Sequence, residues 1–357
     1  MNDIFFKAAV LEKQKSPLKL VSNIQVPKLE KGQILVKLAY SGVCHSQIME
    51  IEGLRGKDKY LPHLLGHEGS GVVIDVGPNV TKVKSGDTVV LGWIKGNGID
   101  SGGCCYKNQN GNFNAGSVTT FNEYAVVSEN RCVIIPKNIP MDIAALFGCA
   151  VLTGSGILTN TIKPKKNTDI AFFGIGGIGL SALAVSKSYS FNKIFAVDIN
   201  DERLSLAKDF GATHTINPTK ECPVKFIKEN TKGIGVDYAI DAAGLVKTIE
   251  QAFESIKTNN GLCVFASHPK FGDKISIDPF DLISGKRIIG SWGGDAQPDR
   301  DIPFFSELYL AGKLPLEKFI SKKYKLEDIN TAINDLKQGK VIRPIIELDT
   351  TIKNALG

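Results

Sequence analysis

The sequence predicts an α/β protein in two parts, a β-rich unit followed by a parallel sheet covered by helices. Three observations carry that expectation. Residues 1 to about 150 are short apolar runs punctuated by Gly, Pro and Asn turns. From about residue 167 the rhythm changes to strand, glycine turn, helix, strand, the alternation of a doubly wound parallel sheet. The length, 357 residues, exceeds that of most single domains.

In the first part, 34–38, 71–76 and 88–91 are apolar enough for strands and are bounded by turn residues at 31–32, 77–79 and 85–87. In the second, strand 169–173 enters a glycine turn at 174–179, helix 180–188 leaves it, and 193–197 is the next strand. A second pass follows as helix 202–210, strand 236–241, helix 246–256 and strand 261–266. The last section, from about Trp292, holds helices at 304–310 and 326–337 and a closing strand at 342–348. There is no internal repeat and no low-complexity linker.

Apolar residues at 43% and charged residues at 22% describe a globular chain with ample core and no disordered tract. A formal charge of +6 is small for this length, and the lysine runs are no stronger than 163–166 and 322–323, so no nucleic-acid partner is expected. Seven cysteines without regular spacing argue against a disulfide framework and for a reducing compartment, which places the protein in the cytoplasm. Residues 1–7 include an acid and no sustained apolar stretch, unlike a secretory signal. The most apolar stretch, 170–185, holds four glycines and falls short of the roughly 20 residues a membrane span needs.

Two sets of residues carry chemistry. Cys44-His45-Ser46, Gly66-His67-Glu68 and Gly148-Cys149 offer thiolate, imidazole and carboxylate, the donors zinc accepts, and three protein ligands leave a position open for substrate. Taken singly, each cysteine reads as readily as core, and an apolar-flanked histidine as a hydrogen-bonded one. The run Gly174-Ile175-Gly176-Gly177-Ile178-Gly179 fits the dinucleotide fingerprint G-x-G-x-x-G, entered by an apolar strand and left by a helix. Glycine is needed there because the turn is tight, pyrophosphate must approach bare amides, and the helix packs closely on the strand. Asp198 ends the next strand, 19 residues past Gly179, where a carboxylate accepts from ribose hydroxyls and repels a 2′-phosphate, favouring NAD over NADP.

The octet Gly66-His67-Glu68-Gly69-Ser70-Gly71-Val72-Val73, the Cys44 triplet, Gly148-Cys149 through Gly154, the glycine fingerprint and the ending 339–346 resemble one family in order and spacing. That family is the zinc-dependent alcohol dehydrogenases of the medium-chain dehydrogenase/reductase superfamily. The resemblance implies a GroES-like catalytic domain, residues 1–151 completed by 292–357, with a Rossmann NAD-binding domain at 152–291 between them. It implies one catalytic zinc held by Cys44, His67 and Cys149, with Glu68 as an occasional ligand, and Ser46 as the hydroxyl that takes the alcohol proton. By position, His45 and Arg343 would meet the cofactor pyrophosphate, Thr153 the nicotinamide, Ile178 the back of its ring and Arg203 the adenosine ribose. Trp93 would narrow the substrate pocket. The implied activity is hydride exchange between a primary, secondary or polyol alcohol and NAD, giving an aldehyde or ketone.

Three departures qualify the resemblance. The family's second, structural zinc needs four cysteines, and the lobe 96–116 has only Cys104 and Cys105, so no structural zinc is expected. Met49 stands where a histidine usually ends the proton relay, and Gln47 where an acid backs the zinc-binding histidine; an amide orients the ring without adding charge. The polar lobe allows a polyol or sugar derivative as substrate, and is as readily a solvated loop. Two other classes stay open: a zinc-free NAD(P)H-dependent reductase, and a non-catalytic NAD-binding protein. Relatives pair their sheets edge to edge, so the apolar run 287–291 leads us to expect a homodimer or homotetramer.

Overall fold

The computed structural model describes residues 4–352, so the reading of residues 1–7 and the outer limits of the first and third domain ranges fall partly outside the described residues. The chain divides into two compact units, Met1–Cys149 with Gln297–Ala311 and Leu316–Gly357, and Ala150–Ala296 with Gly312–Pro315.

The first unit opens with β1 (Phe5–Leu11), β2 (Lys19–Gln25), β3 (Gln33–Gly42), α1 (His45–Ile51), β4 (His63–Leu64), β5 (Glu68–Val76) and β6 (Thr88–Gly92). It continues through β7 (Cys105–Asn108), β8 (Gly111–Asn114), β9 (Tyr124–Ser128), β10 (Cys132–Ile134) and α2 (Met141–Leu146). Strands β1, β2, β7, β8 and β4 close into a barrel around Phe6, Ile24, Tyr106 and Phe113. β3 carries nearly continuous apolar residues because it is covered on both faces and pairs with both β5 and β9.

The second unit begins with α3 (Ala150–Gly156) and runs β11 (Thr168–Phe173), α4 (Gly177–Ser186), β12 (Phe191–Val197), α5 (Asp201–Asp209), β13 (His214–Ile216) and α6 (Pro223–Asn230). It ends with β14 (Tyr238–Asp241), α7 (Val246–Ser255), β15 (Leu262–Phe265), α8 (Pro279–Ile283) and β16 (Arg287–Gly290). Every pairing is parallel and the strand order is β13-β12-β11-β14-β15-β16. Counted from β11, that is the 3-2-1-4-5-6 order of a Rossmann sheet, in which the strand order, not the strand direction, reverses at β11 and β14. The mixed α/β class expected from the sequence is the class observed.

The chain returns to the first unit with α9 (Pro298–Leu310), β17 (Ile320–Lys325), α10 (Ile329–Lys337) and β18 (Arg343–Glu347). β17 and β18 extend the sheet to the order β10-β6-β5-β3-β18-β17. Three expected helix limits move by three residues or more, the first being the start of the helix placed at 180–188, which runs Gly177–Ser186. The helix placed at 304–310 starts at Pro298, a residue whose fixed φ and missing N–H suit a first turn. Residues 326–328 form a separate 3₁₀ turn ahead of α10, whereas the expectation began the helix there.

In the lobe without a cysteine quartet, Asp299 accepts from Asn97 N–H at 2.6 Å, and Glu129 ties Ile99 to the 81–82 segment. Glu129 Oε1 accepts from the backbone N–H of Thr81 at 2.7 Å and of Lys82 at 2.8 Å, and Oε2 accepts from Ile99 at 2.7 Å. Ser128 Oγ adds a bond to the Ile99 carbonyl at 3.0 Å and accepts from Ser101 N–H at 2.8 Å. Cys104 and Cys105 belong to no metal-competent cluster among the described residues, and burial pushes the Cys104 thiol up to about 12.

Candidate active site

Cys44 follows the end of β3 and precedes the first residue of α1, where the extended backbone turns into the helix. Its N–H donates to Gln47 Oε1 at 2.9 Å, which fixes that amide. Gln47 Nε2 then donates to His67 Nδ1 at 2.6 Å, and Ser46 Oγ lies 3.3 Å from the same nitrogen. The other ring nitrogen, Nε2, is 3.2 Å from Cys149 Sγ. Cys149 sits two residues after Phe147, close to where α2 ends. One ligand atom from each of Cys44, His67 and Cys149 lies within 4.8 Å of the others. Two sulfurs and an imidazole nitrogen at that spacing are a donor set that fits a zinc ion with one position left open.

Glycines make room for this cluster. A Cβ at Gly42 would run into the Glu68 carboxylate, and one at Gly148 would meet Glu68 Cβ at 2.9 Å. Glu68 is fully buried, and its carboxylate pairs with the guanidinium of Arg343, itself 3% exposed. Burial raises the Glu68 carboxyl and Arg343 opposes that. Burial also works against the charge on Arg343, but Glu68, Cys44 and Cys149 outweigh it. The two thiols share a proton: the bond from Cys149 holds the Cys44 thiol well below its ordinary range, against its burial, and the same bond and burial hold Cys149 above. Cys44 is therefore the readier thiolate, with Arg343 as its nearby cation.

In the second unit, the glycine turn follows β11 as the spacing requires. Gly174 has φ +89°, a conformation that excludes most side chains, and a Cβ at Gly179 would overlap the Gly174 carbonyl. A Cβ at Gly176 would meet no atom within 4 Å, so open space lies over the start of α4, whose N-terminus has no side-chain cap. Uncapped helix amides beside bare glycine backbone fit a phosphate. Asp198 Oδ2 accepts from Ile175 N–H at 2.7 Å, Oδ1 accepts from Asn200 N–H at 2.9 Å, and Arg203 Nη1 lies 3.9 Å from Oδ2. Ile178 is on α4, and Thr153, on α3, has a buried hydroxyl without a hydrogen-bond partner among the described residues. That orphaned hydroxyl is the kind of group a bound polar ligand satisfies.

The structure thus gathers Cys44, Ser46, His67, Glu68 and Cys149 in one unit, and the fingerprint glycines, Asp198 and Arg203 in the other. Arg343 lies against Glu68, and His45 is exposed at the first turn of α1. Trp93 is half-buried just past β6, its carbonyl bonded to Arg131. The Glu68–Arg343 pair was not foreseen as a pair, because 275 residues separate the partners.

Residues 30–137 match the family model described as the alcohol dehydrogenase GroES-like domain, and 177–308 the one described as zinc-binding dehydrogenase. An alcohol dehydrogenase class-3 of Dictyostelium discoideum is 30% identical over 375 residues, covering 96% of this chain and 97% of that protein. An S-(hydroxymethyl)glutathione dehydrogenase of Photobacterium damsela subsp. piscicida is 32% identical, covering 95% and 99%. Among solved structures, benzyl alcohol dehydrogenase from Acinetobacter calcoaceticus superposes with a TM-score of 0.87 at 31% identity, covering 97% of this chain and 100% of that one.

Proposed function

Because the chain belongs to the zinc-type alcohol dehydrogenases of the medium-chain dehydrogenase/reductase superfamily, we propose that it exchanges hydride between a slim alcohol and NAD. The observation that carries this reading is the Cys44, His67 and Cys149 cluster, with its zinc-type donors. Zinc held there supplies Lewis acidity, easing loss of an alcohol proton and stabilising negative charge on a carbonyl oxygen. Two thiolates and Glu68 are balanced by Arg343 and a divalent ion, so the site is close to neutral. Gln47 in place of an acid keeps it so, which favours an electrophilic centre.

Ser46 takes the alcohol proton. Its hydroxyl is 3.3 Å from His67 Nδ1, the nitrogen that Gln47 Nε2 also faces at 2.6 Å. Met49 carries no exchangeable proton, so release would have to bypass this side chain. With NAD bound, Gly174, Gly176, Gly177 and Gly179 would offer backbone amides to the pyrophosphate, and Asp198 and Arg203 would hold the adenosine ribose, Asp198 disfavouring a 2′-phosphate. Thr153 and Ile178 seat the nicotinamide, Arg343 acts mainly through Glu68, and Trp93 narrows the substrate site. The substrate is a small-molecule alcohol, primary, secondary or polyol.

Seven free cysteines support a reducing, cytoplasmic setting. Among the described residues no helix is long and apolar enough to cross a membrane. β16 is an edge strand with Ile289 41% exposed, which supports edge pairing of two copies; a monomer in light scattering would end that idea.

The test is alcohol-dependent reduction of NAD by the purified chain across primary, secondary and polyol substrates. Turnover lost on chelation and restored by zinc is expected, with Asp198→Ala relaxing the preference for NAD over NADP. Metal-independent turnover, or an unchanged cofactor preference in that variant, would overturn the corresponding assignment.

A further inference from the structure

A second metal-competent cluster lies outside the proposed active site. Glu50 near the end of α1, Asp58 in the following loop and His63 at the start of β4 each bring a ligand atom within 4.8 Å of the others. His63 is 7% exposed, and its Nδ1–H donates to the Leu64 carbonyl at 2.9 Å. That bond aims Nε2 at two carboxylates, 2.8 Å from Asp58 Oδ2 and 3.8 Å from Glu50 Oε1. Asp58 Oδ1 is held by Tyr60 N–H at 2.8 Å, which turns Oδ2 toward the ring. Both ring nitrogens therefore face acceptors, and Nε2 needs a positive group between itself and the carboxylates, either a proton or a metal ion. A carbonyl-anchored imidazole with its far nitrogen among carboxylates is the usual build of a metal-binding histidine.

We propose that Glu50, Asp58 and His63 form a second, thiol-free site for a divalent transition-metal ion such as zinc. One imidazole and two carboxylates suit zinc and its neighbours. Ligands on a tetrahedral ion sit about 3.4 Å apart, so entry of the ion spreads the His63–Asp58 contact by about half an ångström. Asp58 and His63 are nearly closed off, but the Glu50 side chain is 31% exposed and provides the way in. Burial raises the Glu50 carboxyl, opposed by His63 and Arg55, so a further cation stabilises its charged form. The ion would tie the end of α1, the helix that carries Ser46, to β4, four residues before His67.

Titration of metal-free protein with Co²⁺ tests this. Two ions per chain are expected, one giving thiolate-to-cobalt absorption and the other adding binding without it. Asp58→Asn should keep the first and weaken the second by at least about tenfold. Should that variant fail to fold, Glu50→Gln, on the more exposed side, should do the same. Saturation of the wild type at a single thiolate-absorbing ion would overturn the proposal in favour of a protonated His63. A second ion bound equally well by both variants would overturn it too. An ion lost with Asp58→Asn in a protein that shows no thiolate absorption at all would support this site while rejecting the zinc centre proposed above.

Discussion

Replacing Glu129 by Gln should loosen the lobe that the carboxylate anchors. Three backbone N–H groups converge on the two oxygens, from Thr81 at 2.7 Å, Lys82 at 2.8 Å and Ile99 at 2.7 Å. Glutamine offers one oxygen, enough for Thr81 and Lys82, and turns an NH₂ toward Ile99, so a bond is lost and two donors oppose each other. A hydrogen bond to a charged group is worth about 1.5–3 kcal/mol, and an unmet buried donor adds about 1 kcal/mol or more, so the loss is roughly 2–4 kcal/mol. For a unit of this size that lowers the melting temperature by roughly 5–15 °C. The pH dependence has a definite sign. Burial opposes the charge on Glu129, but the bonds from Ile99, Thr81 and Lys82 outweigh it and hold the carboxyl below its ordinary value. Its stabilisation is complete above the unfolded value of about 4.3 and is lost as pH falls through the depressed folded value, so wild type and variant converge in acid. Calorimetry across a pH series, with limited proteolysis of the lobe, measures both. A variant that melts within about 1 °C of wild type at neutral pH would refute the claim that this carboxylate does the anchoring.

Gly176→Ala should leave thermal stability unchanged, since its Cβ meets nothing within 4 Å, yet weaken NAD by about tenfold or more in calorimetric titration, whereas Gly179→Ala should destabilise. Arg343→Met should destabilise by about 3–5 kcal/mol by taking the guanidinium away from the buried Glu68 carboxylate, with much of the loss recovered in the double variant with Glu68→Gln. Because Glu68 is already raised by burial and loses its opposing cation, the native state of that single variant holds a proton the unfolded state releases, so its penalty shrinks as pH falls. Gln47→Glu should tighten zinc by about tenfold in competition with a chelator, because a carboxylate accepts from both Cys44 N–H and His67 Nδ1–H, which the fixed amide cannot do.

What was legible in the sequence is what local spacing encodes. The fingerprint at Gly174 to Gly179 announces itself because a tight turn, a close phosphate and a packed helix each demand glycine within six residues. The Cys44 triplet, the His67 octet and Cys149 were readable as one ligand set through a family pattern, whereas local spacing alone does not join them, since their convergence depends on β3, β5 and the α2 corner meeting. Glu129 is an ordinary acidic residue by any local measure, and its three donors lie 30 to 48 positions away. Asp58 and His63 lie in and just beyond the loop after α1, with no metal-ligand spacing, so only the fold brings them to Glu50. Strand β13, His214–Ile216, is three residues long, too short for its alternation to register.

In the proposed function, Cys44, His67 and Cys149 hold the zinc on which hydride exchange with NAD depends. The most direct measurement is zinc content, alcohol-dependent NAD reduction and NAD affinity, compared between wild type and Cys149→Ser. One zinc fewer per chain and no detectable turnover are expected in the variant, with NAD affinity unchanged. Equal zinc content with full turnover in Cys149→Ser would contradict that reading.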